Sequence, residues 1–160
     1  MVELYGMTVR CDSLSYKGMG WYARVDVGSW SGEGPQRYSE AEARADLPGV
    51  LRAAVSTALP PAEWDDLTAK WQHCVPTADG SEAELVVELD VWSFGDGQRV
   101  SWEAWAYLGD VMAAWCMSAD DPKHQVDLAA AKAQAEDVAR ALFARFWVDA
   151  NAKALGIGEV

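Results

Sequence analysis

Residues 83–118 read AELVVELDVWSFGDGQRVSWEAWAYLGDVMAAWCMS, and two turn signals divide this stretch. Asp96-Gly97 is the pair that a type I′ turn favours, and Gly109-Asp110, with glycine first, suits a type II′ turn. Two-residue turns at both places fix the register of the three segments that they join. The stretch therefore predicts a three-stranded antiparallel meander.

The two predicted turns agree on which face of the meander is apolar. Every pair that shares this face is apolar: Val91–Trp102, Leu89–Ala104, Val87–Ala106, Ala104–Trp115, Ala106–Ala113 and Trp102–Met117. A slip of one residue at either turn would scatter these side chains over both faces, because side chains alternate along a strand. The agreement predicts a sheet with one buried face.

The opposite face of the predicted meander carries carboxylates and aromatic rings. The same register places Asp90 opposite Glu103 and Glu88 opposite Trp105. Two carboxylates directly opposite each other cost a few tenths to about 1 kcal/mol, and the fold by itself does not require that cost. A face that is simply solvated, as antiparallel sheets often have, is one interpretation. Because aromatic residues are typical anchors of protein interfaces, we predict a partner-binding surface here. Its residues are Glu88, Asp90, Trp92, Glu103, Trp105 and Tyr107.

The first part of the chain predicts a hairpin. Residues 7–11 and 21–27 alternate between apolar and polar, which indicates two half-buried strands. The glycine-containing segment 12–20 is expected to be the loop between them. A second loop, over 31–35, is expected to end the hairpin.

Helical signals follow the hairpin. Ser39, with Glu42 three residues later, forms a capping-box pattern. Pro48-Gly49 is expected to interrupt, so that a second helical segment covers Val50–Leu59.

Another helix is predicted after Pro60-Pro61. Trp64, Leu67 and Trp71 follow at spacings of i, i+3 and i+7, which place them on one helical face.

The end of the chain predicts a long helix that begins near Asp121-Pro122 and ends before Gly156. Its apolar stripe consists of Ala131, Ala135, Val138, Leu142, Phe143, Phe146 and Trp147. The order ββ-αα-βββ-α predicts an α+β fold of two layers, with helices packed on one face of an antiparallel sheet. We predict a single domain over residues 1–160, with sub-halves at 1–59 and 60–160 as an alternative.

Composition limits the classes of function. The chain has 160 residues, of which 51% are apolar, and 13 Lys+Arg against 25 Asp+Glu give a net charge of −12. This balance argues against direct binding of nucleic acid or of an anionic membrane, because both need a basic surface. No apolar run is long enough to cross a bilayer, and no signal peptide is expected. The three cysteines are sparse, which favours buried thiols and a cytoplasmic location.

The negative charge is unevenly distributed along the chain. Residues 60–121 hold 13 acidic residues and only two basic ones, Lys70 and Arg99, so this segment carries −11 of the net −12. The segments on either side of it are almost neutral. We therefore expect a one-sided electric field from the segment that contains the meander.

Catalytic motifs are absent from the sequence. It holds no P-loop, no Rossmann fingerprint and no Gly-x-Ser-x-Gly elbow. His73 adjoins Cys74, but neighbouring residues on a helix point in different directions. Asp120, Asp121 and His124 suggest a metal site as an alternative, although Asp-Asp-Pro is also an ordinary helix start. We expect no catalytic residue, no metal and no cofactor.

The expected function is that of a non-catalytic, acidic protein-binding module, an inhibitor or adaptor that engages a basic protein. In one version the carboxylates stand in for the phosphates of DNA and occupy a nucleic-acid-binding groove. Small acidic anti-restriction and anti-CRISPR proteins of phages and mobile elements are analogous in size and charge. Two alternatives remain: a small carboxylate-dependent hydrolase that uses Asp90, Glu103 or His124, and a homodimeric structural or escort-chaperone subunit.

Overall fold

The structure is a computed structural model that describes residues 2–15, 17–94, 97–118 and 128–157, with side chains left undescribed at 92–94 and 97–99. Its elements run β1 (Val2–Leu4), β2 (Met7–Ser15), β3 (Trp21–Val27), β4 (Trp30–Glu33), α1 (Glu40–Ala58), β5 (Lys70–Pro76), β6 (Glu82–Phe94), β7 (Gly97–Leu108), β8 (Val111–Met117) and α2 (Leu128–Leu155). The described strands form two four-stranded sheets, in the orders β1-β2-β3-β4 and β5-β6-β7-β8. The α+β class is confirmed, but with two sheets and the order ββββ-α-ββββ-α in place of the predicted one.

The chain divides into two compact units. The first comprises Met1–Leu59, Val75–Ser81 and Ala144–Val160, and the second comprises Pro60–Cys74 and Glu82–Phe143. Both units draw on segments that are distant in the sequence.

The sheet of the first unit is built on the predicted hairpin. Strands β2 and β3 are antiparallel, with Cys11 opposite Val25, and β2 continues to Ser15 into the predicted loop. The predicted loop over 31–35 is wrong in its first part, because residues 30–33 form β4 against β3. A strand of four residues is too short for alternation to reveal it.

Helix α1 begins at the predicted capping box. The Ser39 hydroxyl accepts from the Glu42 N–H at 3.2 Å, and the Glu42 carboxylate accepts from the Tyr38 N–H at 3.1 Å. The predicted interruption at Pro48 is wrong, because one helix runs through it. An internal proline costs about 3 kcal/mol, and burial of the helix face that includes Leu47 and Leu51 offsets that cost.

A polar cluster closes the first unit. Asn151 on α2 is fully buried; its Oδ1 accepts from the Ala78 N–H at 2.9 Å, and its Nδ2 donates to the Trp147 carbonyl at 2.8 Å. Within the same loop, Asp79 accepts hydrogen bonds from the hydroxyls of Ser81 and Thr77, which lower its carboxyl pKa to about 2. These bonds fix the loop that follows β5.

The second unit lacks the predicted helix after Pro60-Pro61. Residues 70–76 form strand β5 instead, with Trp71 buried, while Leu67 is 97% exposed. The tryptophan spacing matched a helix, but Trp71 and Val75 also satisfy the alternation of a strand, and pairing with β6 favours that solution.

The predicted meander is confirmed as β6, β7 and β8, with a different first register. Phe94 pairs with Gly97, so the connection lies one residue earlier than Asp96-Gly97. Each β6 residue therefore pairs with a β7 residue two positions earlier than predicted; Val91, for example, pairs with Val100 and not with Trp102. Residues 95–96 lie outside the described residues, but their Gly-Asp order matches that of the second turn. Because the shift is even, every side chain of β6 and β7 keeps its predicted face.

The second hairpin has the predicted turn and an unpredicted bulge. Leu108 pairs with Val111 across Gly109-Asp110, and Gly109 has a φ of 59°, which glycine adopts at little cost. The register then shifts by one residue between Ala106 and Tyr107, which leaves Ala113 on β8 as the extra residue.

The bulge reverses the predicted faces of the rest of β8. Trp115 pairs with Trp105 and Met117 pairs with Glu103, so the predicted pairs Ala104–Trp115 and Trp102–Met117 are wrong. The buried positions Ala104 and Ala106 now have Cys116 and Ala114 opposite them. Small side chains of β8 therefore face the core, and the two large ones, Trp115 and Met117, lie on the opposite face of the sheet.

Helix α2 carries the predicted apolar stripe. In the second unit Ala135 and Phe143 are buried, His73 packs edge-on against the Phe143 ring, and Trp102 Nε1 donates to Gln134 Oε1 at 3.1 Å. The predicted start at Asp121-Pro122 lies outside the described residues. Neither of the two described helices is long and apolar enough to cross a membrane.

Candidate functional site

One face of the second sheet is buried and the other carries the predicted site. Burial alternates along β7 and, except at Val86, along β6, with Leu85, Val87, Ala104 and Ala106 inside. The opposite positions form what we call the acidic–aromatic face. Its described side chains are Glu84, Val86, Glu88, Asp90, Ser101, Glu103, Trp105, Tyr107, Met112, Trp115 and Met117.

Most of the predicted binding residues share this face. Five of the six, Glu88, Asp90, Glu103, Trp105 and Tyr107, lie on it. The sixth, Trp92, pairs with Arg99 through its backbone, and its side chain is outside the description.

The predicted pairs across the strands are wrong, because the register differs. Asp90 pairs with Ser101 and not with Glu103, and Trp105 pairs with Val86 and not with Glu88. The two carboxylates that lie directly opposite each other are Glu88 and Glu103. The like-charge pair on this face therefore exists, with a different partner for Glu103.

Strand β8 adds residues that sequence reasoning missed. Trp115 is 51% exposed, and its Nε1 donates to Glu103 Oε2 at 3.3 Å. Met112 and Met117 lie on the same face and are also exposed. Only the bulge brings Trp115 and Met117 there. The one signal in the sequence was the two-alanine run before Trp115, which leaves small residues for the core in either register.

Within the described side chains, the carboxylates of this face have few cationic neighbours. Lys70 Nζ lies 3.7 Å from Glu88 Oε1, and Gln72 Nε2 donates to Glu84 Oε1 at 2.6 Å. Among the ion pairs of the described side chains, Lys70–Glu88 is the one on this face. Glu103 has Glu88 opposite it, and Asp90 is exposed to solvent. Among the described side chains of this face, carboxylates therefore outnumber cationic groups.

An open groove of about 570 Å³ runs across the face. Its lining includes the rings of Trp105 and Tyr107, the carboxylates of Glu84 and Glu88, and Lys70. The groove thus combines apolar walls with charged side chains, which suits a cationic group on an extended surface.

The cysteines and His73 do not form a nucleophilic site. Partial burial of the Cys11 thiol raises its pKa to about 11. Partial desolvation of the Cys74 thiol, together with a hydrogen bond to Glu82, raises its pKa to about 11. Burial lowers the pKa of His73, which packs against Phe143. At neutral pH these groups are a thiol and a neutral imidazole, neither of which is activated. The prediction of buried thiols is wrong, because Cys74 is exposed and Cys11 and Cys116 are half-buried.

Metal ligands do not cluster in the described parts of the chain. No group of three or more His, Cys, Asp or Glu side chains there could hold a metal ion. The alternative site at Asp120, Asp121 and His124 lies outside the described residues.

A second cleft, of about 440 Å³, lies in the first unit. It contains both Arg24 and Asp26, whose side chains lie 3.2 Å apart. A hydrogen bond from Ser31 is the largest cause that lowers the pKa of Asp26. Because these opposite charges already pair with each other, this cleft offers less to a charged ligand than the acidic–aromatic face does.

Replacing Glu103 with glutamine should raise the stability of the protein. The change removes one of two directly opposed carboxylates and keeps an acceptor for Trp115 Nε1, so we expect a gain of a few tenths to about 1 kcal/mol in the free energy of unfolding. Urea denaturation at low and high salt measures it, and the gain should shrink at high salt. A loss of stability at low salt would contradict the prediction, because it would mean that the carboxylate of Glu103 stabilises the fold.

Comparison with known proteins adds no relative. No family model matches the chain, and neither a curated protein nor a solved structure matches it.

Proposed function

We propose that the protein is a non-catalytic binding module whose acidic–aromatic face engages a basic protein partner, as an inhibitor or adaptor. One observation carries the proposal: Trp115, half exposed, lies against Glu103, and Glu103 faces a second carboxylate, Glu88, across the strands. This arrangement disfavours the free protein slightly. A cationic partner would relieve the repulsion and cover the exposed ring.

Aromatic rings and carboxylates recognise cations in complementary ways. A guanidinium or ammonium group is attracted to the face of a tryptophan or tyrosine ring, and a carboxylate accepts its hydrogen bonds. Both kinds of group line the groove, at Trp105, Tyr107, Glu84 and Glu88. The concentration of charge in residues 60–121 would also accelerate association with a basic surface and make it sensitive to salt.

In a more specific version of the proposal, the partner is a protein that binds nucleic acid. A partner that binds nucleic acid presents a basic groove, which this face would occupy with carboxylates in the positions of phosphates. Small acidic anti-defence proteins are analogous in size and charge, and the analogy supports this version without a shared motif.

The enzyme alternative rests on Asp90 and Glu103, which are diagonal neighbours on the face and not opposite each other. Catalytic sites are usually concave and enclose their substrate. Glu88 and Glu103 are opposite each other, but they lie on an open sheet face, and Glu88 is close to Lys70. We therefore favour binding over catalysis.

Charge reversal on the face tests the proposal. The basic partner is captured from the source cells and purified. The double variant Glu88→Lys, Glu103→Lys should bind it with a Kd at least about tenfold weaker, which corresponds to a loss of about 1.4 kcal/mol in binding free energy. The matched control is Glu3→Lys, Asp137→Lys, which makes the same change in net charge at two exposed positions off this face. Binding is measured by calorimetry with the purified partner at low salt.

The control separates the face from bulk charge. Equal weakening by both double variants would mean that net charge alone matters, and unchanged binding by the first variant would contradict the proposal. Circular dichroism of both variants checks that the fold is retained.

A further inference from the structure

Strand β8 is the last strand of its sheet, and within the described residues its outer edge is open. It is last in the order β5-β6-β7-β8, and among the described residues no strand pairs with its far side. None of its seven residues, VMAAWCM, is charged. Val111 is 68% exposed and Met112 is 55% exposed. Apolar side chains and an unpaired backbone thus occur on the same strand.

The direction of the backbone groups can be read from one hydrogen bond. The Ser118 N–H donates to the Trp102 carbonyl at 2.9 Å, so Ser118 directs its main chain toward β7. Alternate residues of an antiparallel strand direct their N–H and C=O groups to opposite edges. Met117 and Trp115 therefore direct theirs away from β7, toward the open edge. Their side chains lie on the acidic–aromatic face.

Natural proteins usually protect such edges. Charged residues, proline and very short strands are common devices, because an exposed edge is a template for another strand. β8 has no charge and no proline. A bulge is another such device, but the bulge of β8 is at Ala113 and leaves Ala114–Met117 in regular pairing with β7. The edge over Ala114–Met117 is therefore available, and strand addition by a bound peptide uses edges of this kind.

We propose that the partner binds by adding an extended segment to the open edge of β8, with cationic side chains at alternate positions on the acidic–aromatic face. The inference rests on the proposed function and specifies its geometry. Strands in a sheet lie about 4.8 Å apart, so alternate side chains of the added strand would lie beside Trp115. A cation there meets the ring face and the carboxylate of Glu103, which already accepts from Trp115 Nε1.

Charge decides between a basic segment and a second copy. Two copies that join through β8 would bring together two chains of net charge −12, with Glu103 on β7, one strand away from the shared edge. A basic segment places positive charge at the same position. The sign of the charge therefore favours a different chain as the occupant.

Backbone methylation of a probe peptide tests the proposal without changing charge. The probe is an acetylated heptapeptide amide in which arginine and valine alternate. Two further forms carry N-methyl groups on the arginine amides only or on the valine amides only, so that each form blocks one edge of the extended peptide. Binding is followed by tryptophan fluorescence at low salt.

The three peptides have the same charge, so they separate strand addition from electrostatic attraction. We expect one methylated form to bind at least about tenfold more weakly, since two or more hydrogen bonds at about 0.5–1.5 kcal/mol each are lost. The other form should bind within about twofold of the parent peptide, because its methyl groups point to the free edge. Equal affinities for all three peptides would overturn the proposal.

A matched pair of protein variants tests the same edge with the captured partner. Met117→Pro removes an outward N–H, whereas Met117→Ala shortens the side chain and keeps that N–H. We expect Met117→Pro to weaken binding about tenfold relative to Met117→Ala. Loss of binding on Glu88→Lys, Glu103→Lys with no difference between the Met117 variants would overturn strand addition and leave the proposed function standing. A dimer of the free protein that Met117→Pro dissociates would also overturn it, because the occupant would then be a second copy.

Discussion

Replacing Trp147 with alanine should lower the free energy of unfolding by about 3–5 kcal/mol, the largest effect we expect from a single substitution. Trp147 lies on α2 in the first unit, its side chain is fully buried, and it leads the fully buried side chains of the described chain in volume. Alanine would leave a cavity that helix α2 closes only in part. Denaturation in urea, followed by circular dichroism, measures the loss.

Two controls separate packing from other causes. Trp147 Nε1 has no hydrogen-bond partner in the described part of the chain, so Trp147→Phe gives up volume but no hydrogen bond. Its cost should be clearly smaller than that of alanine. Trp115→Ala removes the same side chain from the acidic–aromatic face and should change stability by only about 0.5 kcal/mol. A loss for Trp115→Ala as large as that for Trp147→Ala would contradict the placement of Trp115.

Asn151→Leu should destabilise the protein by about 1–3 kcal/mol, although leucine has nearly the same size and is apolar. The amide of Asn151 is buried, and its Oδ1 is the acceptor of the Ala78 N–H. Leucine leaves that donor without its partner at the loop after β5, and it also removes the Nδ2 bond to the Trp147 carbonyl. The free energy of unfolding, measured at neutral pH, reports the loss.

An exposed amide provides the comparison for Asn151. Gln36 Nε2 donates to the Met19 carbonyl at 2.6 Å, but this bond is exposed to solvent. Water can replace it, so Gln36→Leu should change stability by no more than about 0.5 kcal/mol. Equal costs for the two substitutions would mean that burial of Asn151 adds nothing to its hydrogen bonds.

Most of the second sheet could be predicted from local signals. The turn at Gly109-Asp110 and the alternation along residues 83–91 and 100–108 identified two strands and the face on which each side chain lies. The first turn lies one residue earlier than predicted, which shifts every β6–β7 pair by two residues. Because two is an even number, each side chain keeps the face that was predicted for it. For the same reason Glu88, Asp90, Glu103, Trp105 and Tyr107 were assigned to the correct face while their cross-strand partners were wrong.

Other elements depended on contacts that no local pattern contains. The spacing of Trp64, Leu67 and Trp71 fits a helix, yet Trp71 lies on β5, because an open edge of β6 was available for pairing. Pro48 is a helix breaker by itself, yet α1 continues through it, because its apolar face is buried in the first unit. In both places tertiary packing outweighed a local preference.

The sequence by itself determined the α+β class, the capping box at Ser39, the meander and the concentration of negative charge in residues 60–121. Alternation, turn chemistry and charge are properties of neighbouring residues, so they can be read without knowing the fold. Only the tertiary structure decided that Glu88 faces Glu103 and that Trp115 joins the acidic–aromatic face. The bulge at Ala113 depends on which side chains fit over Ala104 and Ala106 in the core, and a core exists only once distant segments pack together.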